Sequence, residues 1–121
     1  MEPEDEAWSL LSHDGFLRDQ RWHLKKRPQE IAAVLRNLQR YMDLLAVSPN
    51  PRAIQAGFIH PEPHGMVALD QRGGDGHLRP TRLYCFADER TRIVHLLGIG
   101  DKDSQTADLA RLAPIARDLN R

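Results

Sequence analysis

The chain has little cysteine, no excess of charge of either sign and no long apolar run. One cysteine, Cys85, stands among the 121 residues, so no disulfide can form within the chain. The 17 basic and 17 acidic side chains cancel at pH 7, which excludes a global electrostatic attraction to nucleic acid. Any binding of that kind therefore needs a local basic patch. No apolar run approaches the roughly 20 residues that a membrane span requires.

The same properties indicate where the chain works. Its start, "MEPEDEAW", is acidic and lacks the basic-then-apolar pattern of a signal peptide. A lone cysteine is typical of a reducing compartment, so we expect a cytoplasmic protein that does not engage the membrane. A chain of 121 residues, 40% of them hydrophobic, is long enough to bury a core without disulfides, and we expect one domain over residues 1–121.

Helical patterns flank the centre of the chain. Pro28 suits the first position of a helix, and apolar residues then recur at helical spacing, which predicts a helix over Pro28 to Ala46. A second helix is predicted from Ser104 or Thr106, and a proline at 114 should bend or shorten it. The first 26 residues predict only two short helical pieces around "HDG".

Three strand patterns lie between those helices. They are "GMVALDQ", "TRLYCFA" and "RIVHLLGIG", and the last two are joined by "DERT", which is short enough for a hairpin. The Pro-rich segment from Asn50 to Pro63 predicts irregular structure. The fold class is therefore α+β, with N-terminal helices packed as one layer on a small antiparallel meander and a C-terminal helix after it.

Two cations are expected to meet at one edge of this sheet. An antiparallel hairpin through "DERT" brings Arg82, at the start of one strand, beside Lys102, which follows the next strand. A guanidinium and an ammonium at one place are suited to stabilising charge on a phosphate. Arg72 and Arg79, on the flanks of the Gly-rich "RGGDGHLRP", could join them. The alternative is that the two cations only form ion pairs with nearby aspartates, Asp70 among them.

Histidines are the candidates for acid–base chemistry. His64 precedes the first predicted strand and could act as a general acid or base near Arg82, or be a simple loop residue. His95 lies in mid-strand and is expected to be a hydrogen-bonded, half-buried core residue. A further alternative is a metal or small-molecule site built on His60, His64 and His95. The two prolines between His60 and His64 exclude the helical zinc motif of metalloproteases.

The stretch "RLYCFADERTRIVHLLGIGDKDSQTADL" resembles the C-terminal half of the RelE/HigB superfamily, the toxins of bacterial type II toxin–antitoxin pairs. That family has a first strand, a helical hairpin, a "GLyELR" strand, an arginine-bearing strand, a hairpin, a last strand with its loop, and a helix. The resemblance covers roughly Gln29 to Leu119 and implies a RelE/ParE-like fold. Residues 1–26 form a poorly matched N-terminal extension in which the family's first strand is not obvious.

The resemblance implies an endoribonuclease that cleaves mRNA on the translating ribosome and is held in check by an antitoxin protein. The 2′-hydroxyl of the RNA attacks the adjacent phosphate, so no cofactor or metal is implied. By position, Arg82 is the strand arginine at the phosphate and Lys102 the second cation. Arg72 and Arg79 would contact the RNA, and His64 is a candidate acid or base by proximity.

A catalytically inactive RelE-like module that binds an antitoxin-like partner is the alternative. Two departures from the family pattern favour it. The loop "DKDSQ" places two aspartates beside the lysine, and Asp108 stands where relatives carry a tyrosine or histidine.

Overall fold

The computed structural model describes residues 7–48, 50–71 and 78–121, and within these ranges the chain forms three α-helices and one five-stranded sheet. The elements follow one another as β1 (Ser9–Ser12), α1 (Asp14–Lys26), α2 (Pro28–Val47), β2 (Ile59–Pro61), β3 (Val67–Gln71), β4 (Thr81–Asp88), β5 (Ile93–Asp101) and α3 (Gln105–Leu119). Short 3₁₀ turns at Pro51–Ala53 and Pro63–Gly65 flank β2. The α+β class predicted from the sequence is confirmed.

The sheet is larger than the predicted three-stranded meander, and it is mixed. Its order is β1-β5-β4-β3-β2, with β1 parallel to β5 and the other pairs antiparallel. The three predicted strands are confirmed as β3, β4 and β5. The prediction missed the two edge strands, which are four and three residues long and too short to show alternation. Pro61 is tolerated in β2 because that strand lies at an edge.

The N-terminal region is a strand followed by one helix, so the prediction of two helical pieces around "HDG" was wrong. Gly15 falls in the first turn of α1 and does not interrupt the helix. Helix α1 then borders β5 beyond the end of β1, where the Asp19 carboxylate accepts a hydrogen bond from Ile99 N–H at 3.0 Å. The carboxylate satisfies a strand N–H that would otherwise face an open sheet edge.

The prediction for α2 is confirmed. The helix runs over Pro28–Val47 with Pro28 at its first turn. Its buried side chains recur at three- and four-residue spacing, so one face covers the sheet: they are Ile31, Val34, Leu38, Tyr41 and Leu45.

Helices cover both faces of the sheet, whereas the sequence predicted one helical layer. Phe16 of α1 and the buried face of α2 pack with Leu69, Leu83 and Cys85 on one face. On the other face, Leu112 and Ala116 of α3 pack with a second buried cluster, namely Met66, Ala68, Tyr84, Phe86 and Leu97. The two clusters follow from strand alternation, because neighbouring residues of β4 point to opposite faces.

Two glycines of β5 allow α3 to lie close to the sheet. A Cβ on Gly100 would stand 1.9 Å from Asp108 Oδ2, and one on Gly98 would stand 3.2 Å from Leu112 Cδ1. Pro114, expected to bend or shorten this helix, does not end it, because α3 continues from Gln105 to Leu119. The helix therefore carries Asp108 directly over the end of β5.

Candidate functional site

The carboxyl end of β3, the start of β4 and the end of β5 meet at one end of the sheet. Asp70 pairs with Arg82, and Arg82 pairs with Gly100 across the next strand. Asp70, Pro80, Arg82 and Lys102 line a cleft of about 320 Å³ at this end. The structure therefore brings Arg82 and Lys102 to the same cleft, as the hairpin through "DERT" requires.

The Arg82 guanidinium is held by two carboxylates. Its Nε lies 3.2 Å from Asp70 Oδ1, and its Nη1 lies 3.8 Å from Glu62 Oε1. Only 18% of the Arg82 side chain and 8% of the Asp70 side chain are exposed, so the pair is mostly screened from water. The ion pair between Arg82 and Asp70, which the sequence offered as an alternative, is present. The second carboxylate beside Arg82, that of Glu62, was not predicted.

His60 belongs to this cluster and His64 does not. Nε2 of His60 lies 2.9 Å from Asp70 Oδ2, a contact that is an ion pair when the imidazole is protonated. Asp70 therefore bridges His60 and Arg82, while Glu62 flanks the guanidinium on its other side. His64, expected beside Arg82, is exposed in the turn before β3, and its neighbour Gly65 lies against Phe86 and the end of α3.

The separation of His64 from Arg82 follows from strand register. Val67, at the start of β3, pairs with Cys85, whereas Asp70, near the end of β3, pairs with Arg82. His64, in the turn that leads directly into Val67, is thus at the opposite end of β3 from the cleft. His64 also has φ of 63°, a left-handed conformation that reverses the chain there.

Glu62 is the carboxyl group whose chemistry the cluster changes most clearly. Partial burial raises the pKa of Glu62, and the neighbouring carboxylate of Asp70 adds to the increase, while Arg82 and His60 oppose it. A carboxyl group whose pKa is raised takes up and releases protons nearer to neutral pH than an ordinary glutamate does. Glu62 is therefore suited to proton transfer.

A buried phenol borders the same cluster. Tyr84 follows Arg82 by two residues on the same face of β4 and has no exposed surface. Burial raises the pKa of Tyr84, and the carboxylate of Asp108 adds to the increase. Its hydroxyl has no hydrogen-bond partner among the residues that the structure describes. The hydroxyl is a donor left without an acceptor between the sheet and α3.

The loop after β5 is fixed by its aspartate and serine. Asp101 Oδ1 accepts a hydrogen bond from Ser104 N–H at 2.8 Å, and Ser104 Oγ accepts one from Asp101 N–H at 3.0 Å. Arg27 donates to Asp101 Oδ2 at 2.9 Å. Burial alone would raise the pKa of Asp101, but the hydrogen bonds from Arg27 and Ser104 lower it. Lys102 therefore lines the cleft from a turn that hydrogen bonds hold on both sides.

Arg79 lies within the described residues, whereas Arg72, at the other end of the Gly-rich segment, does not. Arg79 is held through its backbone, whose N–H donates to Glu30 of α2 at 3.2 Å and whose carbonyl accepts from Thr81 Oγ1 at 3.0 Å, while the residue itself is exposed. Arg72, together with most of the Gly-rich segment, lies outside the described residues.

Sequence reasoning placed Arg82 and Lys102 but missed Glu62 and His60. The two missed residues stand two positions apart in "HPEP", and in an extended segment such residues lie on the same side. That spacing is the signal that could have found them. Their approach to Arg82 depends on the pairing of β2 with β3, and β2 was not predicted.

Histidines do not assemble into a metal site in the described part of the chain. His95 lies against His13, with 2.9 Å between His95 Nδ1 and His13 Nε2, and is remote in the fold from His60 at the other side of the sheet. His95 is 7% exposed, which confirms the expectation of a hydrogen-bonded core histidine. Across residues 7–48, 50–71 and 78–121, no group of three or more His, Cys, Asp or Glu side chains is arranged to hold a metal ion.

The helices of the described ranges are too short or too polar to cross a bilayer. Comparison of the chain with protein-family models, with curated proteins and with solved structures found no match.

Proposed function

We propose that the chain is an endoribonuclease of the RelE/HigB type, which cleaves mRNA on the translating ribosome in the cytoplasm and is neutralised by an antitoxin protein. The observation that carries this proposal is the position of Glu62 beside Arg82, the cation that lines a cleft together with Lys102. A carboxyl group with a raised pKa next to a cation is the arrangement that proton abstraction beside a phosphate needs.

The order of elements also supports the proposal. A first strand, a pair of helices, the Arg82 strand, a hairpin and a last helix follow one another as the resemblance implies. Strand β1, which the sequence did not reveal, stands where that family has its first strand.

Each residue of the cluster has a role in the proposed reaction. The Glu62 carboxylate takes the proton of the RNA 2′-hydroxyl, whose oxygen then bonds to the adjacent phosphorus. The bond from phosphorus to the 5′-oxygen breaks, and protonated His60 gives its proton to that leaving oxygen. Arg82 and Lys102 stabilise the charge that develops on the phosphoryl oxygens, and Asp70 orients His60 and Arg82. The products are a 2′,3′-cyclic phosphate and a 5′-hydroxyl.

The second candidate function is an inactive module that binds an antitoxin-like partner. The observation that favours it is the neutralisation of Arg82 by Asp70 and Glu62. The anions Glu62 and Asp70 offset the cations Arg82 and Lys102, which weakens the attraction of the cluster for a phosphate. An RNA phosphate would have to displace one carboxylate from the guanidinium before it could bind.

Cell-free translation of a defined message, with primer extension to map the breaks, separates the two functions. We expect cuts with the wild-type protein and their loss in Glu62→Gln and in the double variant Arg82→Ala, Lys102→Ala. His64→Asn is the matched control, because His64 is exposed at the far end of β3, and its cuts should persist.

The outcomes of this experiment differ. Loss of cutting in His64→Asn would show that His64 takes part in acid–base catalysis, and it would contradict the roles proposed for His60 and Glu62. An intact message with folded wild-type protein would refute the nuclease and leave the binding module.

A further inference from the structure

We propose that the exposed face of α1 is a binding surface for single-stranded RNA, which holds the substrate on the side of the cleft next to Lys102. This inference rests on the proposed nuclease function for its substrate. The surface consists of Arg18, Arg21, Trp22 and Lys25, with Arg27 at its end, and we call it the α1 surface.

Basic charge is concentrated on this helix in a chain that has no net charge. Residues 18–27 carry the cations Arg18, Arg21, Lys25, Lys26 and Arg27 and one acid, Asp19. Asp19 offsets part of this charge, because its Oδ1 lies 3.6 Å from Arg18 Nε, but the carboxylate is only 15% exposed and its Oδ2 also binds Ile99 N–H and Arg111. This is the local basic patch that a neutral chain needs if it is to bind an RNA backbone.

The cations share one face of the helix with an aromatic ring. Positions 18, 21, 22 and 25 follow the three- and four-residue spacing of a single helical face, and all four residues are exposed. Phe16 and His23 lie buried on the opposite face. Trp22 keeps 47% of its surface exposed, which leaves a large apolar ring in contact with water.

An exposed aromatic ring among cations is the arrangement by which proteins bind single-stranded nucleic acid. The cations contact successive phosphates, while an unpaired base stacks on the ring. An acidic protein segment would use the cations but gains little from the flat indole face, so the composition of the surface favours RNA.

A continuous set of contacts joins the α1 surface to the cleft. The Arg27 guanidinium lies 5.2 Å from the centre of the Trp22 ring and donates a hydrogen bond to Asp101 at 2.9 Å. Lys102, the next residue in the chain, lines the cleft with Arg82. An RNA strand that leaves the cleft past Lys102 therefore meets Arg27 and then Trp22.

Binding can be tested apart from cleavage with a fluorescein-labelled single-stranded RNA and protein that carries Glu62→Gln, so that the RNA stays intact. In this background we compare Arg21→Glu with Lys25→Glu, Trp22→Ala and Trp22→Phe by fluorescence anisotropy. The matched control is Arg117→Glu with Arg121→Glu, which reverses two exposed charges at the other end of the fold. Circular dichroism confirms that each variant is folded.

The α1 surface predicts a specific pattern. Trp22→Ala should raise Kd by about fivefold to about a hundredfold, the usual effect of losing one base–aromatic stack, and Trp22→Phe should restore most of the affinity. The reversal of Arg21 and Lys25 should reduce the slope of log Kd against log salt by roughly 1.4, which corresponds to two phosphate contacts on a single strand. The control pair should change neither quantity.

Other results would overturn the inference. They are an absence of RNA binding, an unchanged Kd in both α1 variants, or an equal loss in the control pair. Binding of polyglutamate to the α1 surface in place of RNA would assign the surface to an acidic protein. RNA binding that depends on Trp22, together with uncut messages in the translation assay, would sustain the α1 surface and refute the nuclease.

Discussion

At the scale of single residues, the site depends on side chains whose surroundings differ from water. Glu62, Asp70 and Arg82 are each largely screened, and each changes the ionisation or the orientation of another. The pKa of Glu62 and the effect of the buried Tyr84 hydroxyl on stability can both be measured without an activity assay.

The pKa of an ordinary glutamate is about 4.3. We expect the pKa of the Glu62 carboxyl to be higher than this value. Asp70→Asn removes a negative neighbour and leaves Arg82 nearer to Glu62 alone, so the pKa of Glu62 should fall in that variant. Carboxyl carbon NMR shifts followed against pH measure both values, with Glu62→Gln identifying the resonance. A Glu62 titration that is ordinary in the wild type, or that rises in Asp70→Asn, would contradict the cluster as described.

Removal of the Tyr84 hydroxyl should not destabilise the fold. Because that hydroxyl is buried and meets no partner within residues 7–48, 50–71 and 78–121, Tyr84→Phe should leave the free energy of unfolding unchanged or raise it by up to about 1 kcal/mol. Thr81→Val is the contrasting variant, since the buried Thr81 hydroxyl donates to the Arg79 carbonyl, and its loss should cost about 1 kcal/mol. Urea unfolding measures both, and a large loss in Tyr84→Phe would show that the hydroxyl has a partner.

The sequence predicted the site residues whose positions are fixed by the pairing of β4 with β5. It did not predict those whose positions depend on β2 and the turn after it. Arg82 and Lys102 could be predicted because a short hairpin fixes which ends of two strands meet. The spacing of Glu62 and His60 predicts that they share one side of an extended segment, but their approach to Arg82 depends on a three-residue edge strand and on the left-handed turn at His64.

At the scale of elements, β5 carries glycines where α3 crosses it, and these glycines allow the close contact between β5 and α3. Gly100 faces Asp108 and Ser104, and no Cβ fits between them. The close contact keeps the Asp108 carboxylate near Tyr84 and the end of β5.

Gly100→Ala should therefore destabilise the fold by about 1–3 kcal/mol, because α3 must shift to make room. Gly57→Ala is the matched control, since a Cβ at Gly57 meets nothing within 4 Å, and its stability should be nearly unchanged. Combining Gly100→Ala with Asp108→Ala should restore part of the loss, and strict additivity of the two changes in thermal unfolding would contradict the contact.

Elements with a full period of apolar residues were predictable, and elements without one were not. Helix α2 and strands β3 to β5 each bury a regular face, so their patterns are clear. Strand β1 has Leu10 and Leu11 about half exposed in succession, which is the pattern of neither a helix nor a half-buried strand. Its place is fixed by β5, a partner far along the chain.

At the scale of the whole molecule, a histidine pair joins the N-terminal region to the last strand. His13, between β1 and α1, meets His95 of β5. Burial lowers the pKa of both histidines, and the proximity of His13 adds to the effect on His95, against an opposing pull from Asp88. The hydrogen bond between the rings needs one of them neutral.

Stability should therefore decrease in mild acid. Because the folded pKa values lie below the unfolded value, about 6.5, the contribution of the pair is complete above that pH and is lost as pH falls below it. We expect a lower Tm at about pH 5.5 than at about pH 7.5, and a smaller difference in His95→Gln. His64→Asn, at an exposed position, should retain the wild-type difference. An equal decrease in His95→Gln would assign the effect to other groups.

The α+β class could be predicted from the sequence, whereas the mixed sheet and its two helical layers could not. Composition and the order of clear elements determine the class. The parallel pairing of β1 with β5 brings together residues from opposite ends of the chain, and no local pattern reports it.

The pairing of β1 with β5 also orders events during synthesis. His13 and His95 are 82 positions apart, so β1 leaves the ribosome long before the strand that will hold it. Until β5 has emerged, Leu10 and Leu11 have no sheet to join, and the nascent chain carries an unpaired strand. Closing so long a loop slows the formation of this contact, so we expect the edge of the sheet at β1 to be completed late.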